Sequence, residues 1–397
     1  MSNLIKSFTS QLIDIPFICQ NTIQKLNNIP LDYLNLSPLN DNLKFLLEKI
    51  INAHSKTMYY KEIETNINYI RDVFLNFSKD MNNTKKSKFA NDILKMSYVH
   101  TFKLKIINDV IVVNFISDKN NNNKNLIFSI LHAINTFCLA FPSNYDNLYI
   151  YISLDNNKRL LDYPDNLTTI EEKLDYLNKH SLALNVSGMT NSHNKIIILT
   201  KIEEIIKLLF HELVHFARLD NFGSHSINFN FSISNNITIQ EAYAEFMSII
   251  LSTAYESIYI STYLNYNIYD IYNILLYLEK TYSIYLSTNL LKFYNYNKYN
   301  FMDFFENKGR KMFSHIHIWE YVIIRTQLLL NIDRVANLVG RYDWYVNEYD
   351  INSLLDLMLI NKDFLNDISF FMNNTTINKS LSYKIIDIDW KKINYFI

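Results

Sequence analysis

Two hydrophobic periodicities separate a strand-rich part of the chain from a helix-rich part. Apolar Phe102, Leu104 and Ile106 alternate with lysines. After the polar pair Asn108-Asp109, a continuous apolar run extends from Val110 to Ile116. Alternation with a period of two is typical of a half-buried strand, and a short polar break between two such segments predicts a hairpin.

Further apolar segments continue this strand-rich part. The stretch from Leu126 to Phe141 has helical spacing and stops at Pro142, which cannot continue a helix. Strands are predicted at Leu148 to Ser153, Leu182 to Val186 and Lys195 to Leu199. Beyond residue 200 the pattern is nearly all helical. Strands first and helices afterwards indicate an α+β fold, with the sheet packed against the first of those helices.

The same pattern predicts three consecutive regions. Residues 1–90 show helical periodicity broken by polar links and form a helical N-terminal region. Residues 91–225 form an α/β subdomain, and residues 226–397 a helical C-terminal subdomain. No feature of the first region assigns it a role.

Composition narrows the class of protein. The chain has 397 residues, of which 49% are hydrophobic, so it can bury a substantial core. Lys and Arg (38) nearly balance Asp and Glu (39), which argues against nucleic acid or an anionic membrane as the main partner. Two distant cysteines, Cys19 and Cys138, indicate a reducing compartment. No segment resembles a secretion signal or a membrane span, so we expect neither secretion nor membrane insertion.

The helix after the last predicted strand carries the candidate chemistry. Thr200 and Glu203 fit a capping box, which predicts that this helix begins at Thr200. Within it, the sequence HELVH places His211 and His215 four residues apart. Side chains at i and i+4 lie on one face of a helix, so the two imidazoles are expected to point the same way.

Two imidazoles one turn apart are what a zinc ion requires from a single helix. Glu212 points to an adjacent part of the surface, where a carboxylate does not bind the metal but can deprotonate a metal-bound water. The alternative is a structural cluster of three polar residues in a core helix. Such a cluster in an apolar helix leaves costly unpaired groups unless something binds them, and this favours the metal site.

A catalytic zinc usually has three protein ligands, so a further residue is needed. The extended motif H-E-x-x-H-x-x-G-x-x-H does not occur, because Arg218 and Asn221 replace its glycine and third histidine. On the next predicted helix, from about residue 239, Glu241 and Glu245 lie one turn apart in a mostly apolar stretch. We expect Glu241 to be the third ligand and Glu245 to accept the spare N–H of a ligand histidine.

Other interpretations of these carboxylates remain open. Thr238 and Glu241 also fit a capping box, in which Glu241 does no more than close the start of its helix. Capping does not explain Glu245 on the same face. Asp220 and His225 are weaker substitutes for the third ligand, since both are expected in a loop.

At these residues the chain resembles the gluzincin type of zinc metallopeptidase, in which HExxH is followed on a later helix by a ligand glutamate. Three segments, NVSGMT from Asn185, IIILTKIEEIIKLLFHELVH, and EAYAEF, are also similar to uncharacterised zincin-like proteins of large nucleocytoplasmic DNA viruses. The resemblance extends from about Leu148 to Arg325. It implies a zincin-like fold, with a small, mostly antiparallel sheet packed on the HExxH helix, and one bound zinc ion. It also implies that the strand at Lys195 to Thr200 borders the cleft and pairs with an extended peptide, although a plain core strand predicts the same residues.

A late segment offers groups that could stabilise the oxyanion formed when water attacks a peptide carbonyl. His317, Tyr321 and Arg325 recur at intervals of four on an otherwise apolar predicted helix. If this polar ridge faces the cleft, Tyr321 donates to the oxyanion, and His317 and Arg325 contact the substrate. The alternative is a ridge that faces solvent.

The sequence therefore predicts a zinc metallopeptidase that acts on protein or peptide substrates. An endopeptidase is the preferred class. It is expected inside the cell, in the host cytoplasm or in the virion if its source is a virus. One alternative is an inactive zincin-like scaffold that keeps the metal for stability, which the intact Glu212 disfavours. Another is a carboxypeptidase, for which Arg325 or Arg341 would hold the terminal carboxylate of the substrate.

Overall fold

The computed structural model describes residues 2–77, 79, 83–118, 124–154, 163–164, 166–180, 187–233, 236–312, 317–376, 380 and 382–393. The chain divides into two compact units. We call residues 50–217 with 390–397 the sheet unit, and residues 1–49 with 218–389 the helical unit. This division differs from the three consecutive regions predicted, because residues 1–49 group with the C-terminal helices instead of forming a region of their own.

The sheet unit is built on one six-stranded mixed sheet. In chain order its strands are β1 (Tyr59–Ile63), β2 (Tyr98–Ile106), β3 (Asp109–Ser117), β4 (Tyr149–Ser153), β5 (Gly188–Asn191) and β6 (Ile196–Leu199). Their order in the sheet is β1-β2-β3-β4-β6-β5. The β1–β2, β2–β3 and β5–β6 pairs are antiparallel, and the β3–β4 and β4–β6 pairs are parallel. The sheet is therefore mixed, and the expectation of a mostly antiparallel sheet was only partly right.

The predicted hairpin is found, formed by β2 and β3. Leu104 lies opposite Ile111, and the two-residue turn contains Ile107 in the left-handed region at φ 54°. Three other predicted elements are also found. They are the helix predicted from Leu126 to Phe141, observed at Lys124–Ala140, and strands β4 and β6. Strands β1 and β5 were not predicted, and the predicted strand at residues 182–186 lies outside the described residues.

Helices cover both faces of the sheet. They are α4 (Ile67–Phe77), α5 (Asn83–Lys95), α6 (Lys124–Ala140), α7 (Ile170–His180) and α8 (Ile205–Ala217). On one face, Ile70 and Phe74 of α4 share a buried cluster with Ile116, Tyr151 and Ile198 of the sheet. Successive side chains of a strand point to opposite faces, so the alternate positions of β5 and β6 face the other side, where α8 contacts β5.

The helical unit contains two helices of 26 residues each, α9 (Ile239–Leu264) and α10 (Ile268–Phe293). Asn265, at φ 54°, ends α9, and the side chain of Asn267 caps the start of α10. The shorter helices are α1 (Ser2–Ile13), α2 (Gln20–Asn27), α3 (Asp41–His54, which continues into the sheet unit), α11 (Phe301–Phe305), α12 (Arg325–Leu330), α13 (Ile332–Val339), α14 (Ile351–Met358) and α15 (Lys362–Asn374). Short 3₁₀ turns cover Gly340–Tyr342 and Trp390–Lys392. Across the described ranges, no helix combines the length and apolarity needed to cross a bilayer.

Candidate metal centre

Helix α8 begins five residues later than the capping box predicted. Thr200 directly follows strand β6, and both its N–H and its hydroxyl donate to the main-chain oxygen of Ser187. Glu204 then adopts φ 55°, in the left-handed region, and its carbonyl accepts the N–H of Leu208 at 2.9 Å. The prediction that Thr200 caps the helix was wrong, because its side chain is engaged by the neighbouring strand. The later start leaves the HExxH residues in the helix interior.

The two histidines of α8 converge on one point. His211 is 4% exposed and His215 is half-buried. Their Nε2 atoms are 3.1 Å apart, and their rings meet edge to face. Two nitrogens that each lie about 2.0–2.1 Å from a tetrahedral zinc ion are separated by about 3.3–3.4 Å. The pair therefore fits either a proton shared between the nitrogens or one shared metal ion.

Glu212 is buried beside this pair and held by strand β5. Its side chain is 5% exposed. The Thr190 hydroxyl lies 2.7 Å from the Glu212 Oε2 atom and 3.0 Å from its main-chain oxygen. The carboxylate thus has a defined position beside the histidines, as a general base requires.

In the helical unit, the structure separates the two roles left open for Glu241. A capping box at the start of α9 would pair the Thr238 N–H with Glu241. That N–H instead donates to Glu320 Oε1 at 2.9 Å, and the Thr238 hydroxyl makes no capping bond. The half-buried Glu241 carboxylate accepts a hydrogen bond of 2.9 Å from the Tyr321 hydroxyl. Glu241 therefore does not cap its helix, and Glu320 takes that position.

Tyr321 lies in a π-helical turn, Glu320–Ile324, which continues directly into α12. The regular helix predicted here is thus interrupted, and π turns of this kind are frequent at functional sites. His317 precedes the helix with its side chain 43% exposed, and its Nδ1 atom is 3.2 Å from Glu320 Oε1. The rings of His317 and Tyr321 meet edge to face. Tyr321 thus contacts Glu241, and His317 lies beside Tyr321, which the predicted spacing alone did not establish.

Arg325 does not occupy the position predicted for a substrate-binding residue. It is 0% exposed, and its guanidinium donates to the Tyr383 carbonyl at 2.7 Å and to the Ser283 hydroxyl at 3.1 Å. Its Nη1 atom is also 3.5 Å from Glu245 Oε1. The expectation of a substrate contact was wrong in this conformation, because burial and three protein partners leave the guanidinium no access to a ligand.

A buried ionic network supports the same helix further along. Glu245 is 1% exposed, so its charge is balanced by Arg325 within the core of the helical unit. Lys384 forms a close ion pair with Glu256 and lies 4.0 Å from Glu279. Burial raises the pKa of Glu279 to about 8, against the opposing effect of main-chain N–H groups of Ile385 and its neighbour. Removing one member of such a network would leave an uncompensated charge in the core and would destabilise the helical unit.

The weaker ligand candidates have local structural roles. The Nδ1 atom of His225 is 2.9 Å from the carbonyl of Phe222, a contact within one loop. Asp220 is 7% exposed. Burial raises the pKa of Tyr243, and the nearby charge of Asp220 raises it further. Neither of these contacts indicates a metal ligand.

Strand β6 does not form the edge of the sheet. It lies between β4 and β5, and both of its sides are hydrogen-bonded. The expectation that the strand at Lys195 to Thr200 pairs with a peptide was therefore wrong. Its neighbour β5 is the outer strand, and the sequence reasoning missed both this strand and the contact of Thr190 with Glu212. The signal available in the sequence was a glycine and a threonine two residues apart, Gly188 and Thr190.

Comparison with known proteins gives a viral family. No family model matches the chain, and no solved structure matches it. An uncharacterised protein of Acanthamoeba polyphaga mimivirus is 38% identical over 394 residues, which cover 98% of both chains. The structure itself shows an α+β fold with a mixed six-stranded sheet. The chain belongs to the same family as this mimivirus protein.

Proposed function

We propose that the protein is a zinc-dependent peptidase whose catalytic base is Glu212. The observation that carries this proposal is the convergence of the His211 and His215 Nε2 atoms, 3.1 Å apart, in a buried helix. Helical spacing alone brings two side chains to one face, but it does not aim their nitrogens at one point. A separation close to that of two nitrogens on a tetrahedral ion supports a shared metal.

The third ligand proposed is Glu241. Glu241 is the carboxylate that the resemblance to HExxH peptidases with a later ligand glutamate assigns to this role. Two imidazoles with one carboxylate suit zinc and leave a position open for water or substrate. Glu241 does not cap α9, and the Tyr321 hydroxyl donates a hydrogen bond to its carboxylate, which would orient it for this role.

Each remaining residue has a role within this proposal. Zinc bound by such ligands would polarise a carbonyl oxygen and would lower the pKa of the attacking water into the neutral range. Glu212 accepts the proton of that water and passes it to the leaving amine. The Tyr321 hydroxyl has one proton, which it donates to Glu241 in this structure, so it must turn from Glu241 to donate to the oxyanion, and His317 lies beside it to contact the substrate. Arg325, which is buried against Glu245, supports α9 instead of binding substrate.

The test compares the wild-type chain with Glu212→Gln and with a matched control, Glu171→Gln, which removes the same charge at an exposed position of α7. Metal content is measured by mass spectrometry, and cleavage by incubation with a peptide library. We expect all three proteins to bind one zinc ion. Wild type and control should cleave equally, whereas Glu212→Gln should lose cleavage by roughly 10²–10⁴-fold, the usual contribution of a positioned general base.

The alternatives give different results in the same assay. Zinc bound without any cleavage by the wild type would identify an inactive scaffold. Products shortened only at their C-termini would identify a carboxypeptidase in place of an endopeptidase. A wild-type protein that binds no zinc would contradict the proposal altogether.

A further inference from the structure

Strand β5 presents a glycine and a threonine to the helix that carries Glu212. Gly188 and Thr190 are two residues apart, so they lie on the same face of the strand. In the antiparallel pair with β6, they lie opposite Leu199 and Ile197. Met189 between them faces the other side, where it packs on the buried cluster shared with α4 and α5. The Gly188 and Thr190 face is therefore the one that contacts α8.

Thr190 makes a directional contact with the carboxylate. Its hydroxyl is 2.7 Å from Glu212 Oε2 and 3.0 Å from the Glu212 main-chain oxygen. A hydroxyl has one proton to donate, and an ionised carboxylate is a stronger acceptor than a main-chain carbonyl. The shorter distance agrees with donation to Oε2, which fixes one of the two carboxylate oxygens.

Gly188 leaves the space that the other oxygen occupies. A Cβ atom added at Gly188 would lie 2.3 Å from Glu212 Oε1 and 3.0 Å from its Cδ atom. Non-bonded carbon and oxygen atoms do not approach this closely, so any larger residue must displace the carboxylate. Gly188 is not among the glycines with positive φ. Its requirement is for space beside Glu212 and not for an unusual backbone conformation.

We propose that Gly188 and Thr190 are positioning residues for the general base. Thr190 holds Oε2, and the missing side chain of Gly188 lets Oε1 lie against the strand. The Glu212 carboxylate is thereby restricted to one buried orientation before substrate binds, and the entropy of ordering it is not lost during the reaction. This inference rests on the proposed peptidase function, because it assigns the contact a catalytic purpose.

The variants that test it are Thr190→Val, Thr190→Ser and Gly188→Ala, with Thr57→Val as a matched control at an exposed position of the same unit. Zinc affinity is measured by competition with a chromogenic chelator, and kcat and KM with a peptide substrate. Thr190→Val should lower kcat by roughly 10- to 100-fold while KM and zinc affinity stay within about threefold, since a misplaced group of this kind costs up to 10²-fold. Thr190→Ser, which keeps the hydroxyl, should restore most of kcat, and Gly188→Ala should resemble Thr190→Val.

A second readout does not depend on activity. In the metal-free protein, unfolding by urea is measured for Thr190→Val, for Glu212→Ala and for the double variant. Residues that interact directly give non-additive effects, so we expect a coupling on the order of tenfold in the unfolding equilibrium constant. Thr57→Val should show no coupling with Glu212→Ala.

The outcomes separate this inference from the proposed function. If the wild type and Thr190→Val have equal kcat while Glu212→Gln is inactive, the positioning role is overturned and the peptidase function stands. Coupling in unfolding without any change in kcat would also overturn it, since the contact would then be structural only. If the wild type itself cleaves no peptide, the proposed function fails, and the catalytic purpose of the contact fails with it.

Discussion

The sheet unit contains two histidine pairs whose rings are equally close but whose nitrogens meet different partners. The ring centres of His211 and His215 are 4.7 Å apart, and those of His54 and His132 are 4.4 Å apart, both in edge-to-face arrangements. In the first pair, the two Nε2 atoms approach to 3.1 Å. In the second, His132 Nε2 is 3.2 Å from the main-chain oxygen of His54. A short distance between two histidine rings therefore does not indicate that they could share a metal ion. The direction in which their nitrogens point separates the two pairs.

The surroundings of the second pair explain its different role. Burial lowers the pKa of His54 to about 3, with a smaller contribution from the nearby His132, and lowers that of His132 to about 4. Phe128 stacks on the His132 ring. Both imidazoles are thus neutral near pH 7 and serve as packed aromatic groups. Substitutions in the His211–His215 pair should therefore change zinc binding, whereas substitutions in the His54–His132 pair should change packing instead.

The largest difference is expected in zinc affinity. His211→Ala and His215→Ala each remove a proposed ligand, so each should weaken zinc binding by roughly 100-fold or more. His132→Ala should leave zinc affinity within about threefold, because its nitrogen is bonded to a carbonyl. Competition with a chromogenic chelator measures all three. Equal losses in the two pairs would mean that the converging nitrogens do not bind the metal.

The next effect is stabilisation by zinc. A metal that binds only the folded chain, at 100 times its dissociation constant, should raise the free energy of unfolding by about 2.7 kcal/mol. This gain should be absent in His211→Ala, retained in His132→Phe, and reversed in the wild type by a chelator. Urea unfolding at pH 7, with and without zinc, measures it. A gain that persists in His211→Ala would place the metal elsewhere.

A third effect concerns acid stability and involves the packed pair. Since the folded pKa values of His54 and His132 are lowered, the unfolded chain binds more protons below pH 6.5. The stability that these two neutral histidines contribute is fully present above pH 6.5 and is lost as the pH falls toward 4 for His132 and toward 3 for His54, by up to about 1.4 kcal/mol per pH unit for each histidine. This loss of unfolding free energy is best measured in the metal-free protein, where bound zinc does not add to the stability.

The variant His132→Phe removes one of these groups and should therefore reduce the slope of unfolding free energy between pH 6.5 and 5. The exposed Thr57→Val, which changes no titratable group, is the control and should leave the slope unchanged. Urea unfolding at half-unit steps of pH gives the slope. An identical slope in His132→Phe and wild type would show that His132 is not held neutral by burial.

The smallest effect is the stability of the packed pair at neutral pH. His132→Phe keeps an aromatic ring on Phe128 but removes the contact of Nε2 with the His54 carbonyl. The free energy of unfolding at pH 7 should fall by about 1 kcal/mol, the usual net contribution of one hydrogen bond. A loss much greater than this would indicate that the Phe ring does not fit the same space.

Much of the sheet unit could be predicted because its signals are local. The alternation of Phe102 and Leu104 with lysines requires a strand with one buried face, and the observed register agrees. Strand β5, in contrast, is only four residues long and half-buried, too short for its periodicity to stand out. The capping box at Thr200 failed for a related reason, since its hydroxyl found an acceptor, Ser187, that is distant in sequence.

The candidate site was predictable to a different degree in each unit. The i, i+4 spacing placed His211 and His215 on one helix face, as observed. The regular helix expected at Tyr321 contains a π turn instead, and Arg325 turns into the core toward Glu245 and Tyr383. Periodicity gives the face of a helix, but it does not say whether that face meets a cleft or a buried counter-charge.

The sequence by itself determined the hairpin, a helix from about residue 239 and the pairing of two histidines one turn apart, because hydrogen bonds within a helix and the alternation along a strand fix such neighbours over a few residues. Only the tertiary structure decided that Gly188 and Thr190 meet Glu212, that Glu320 and not Glu241 bonds the Thr238 N–H, and that Arg325 is buried. Those contacts join residues far apart in the chain. They depend on which surfaces remain complementary after the core has packed, and no local spacing encodes that choice.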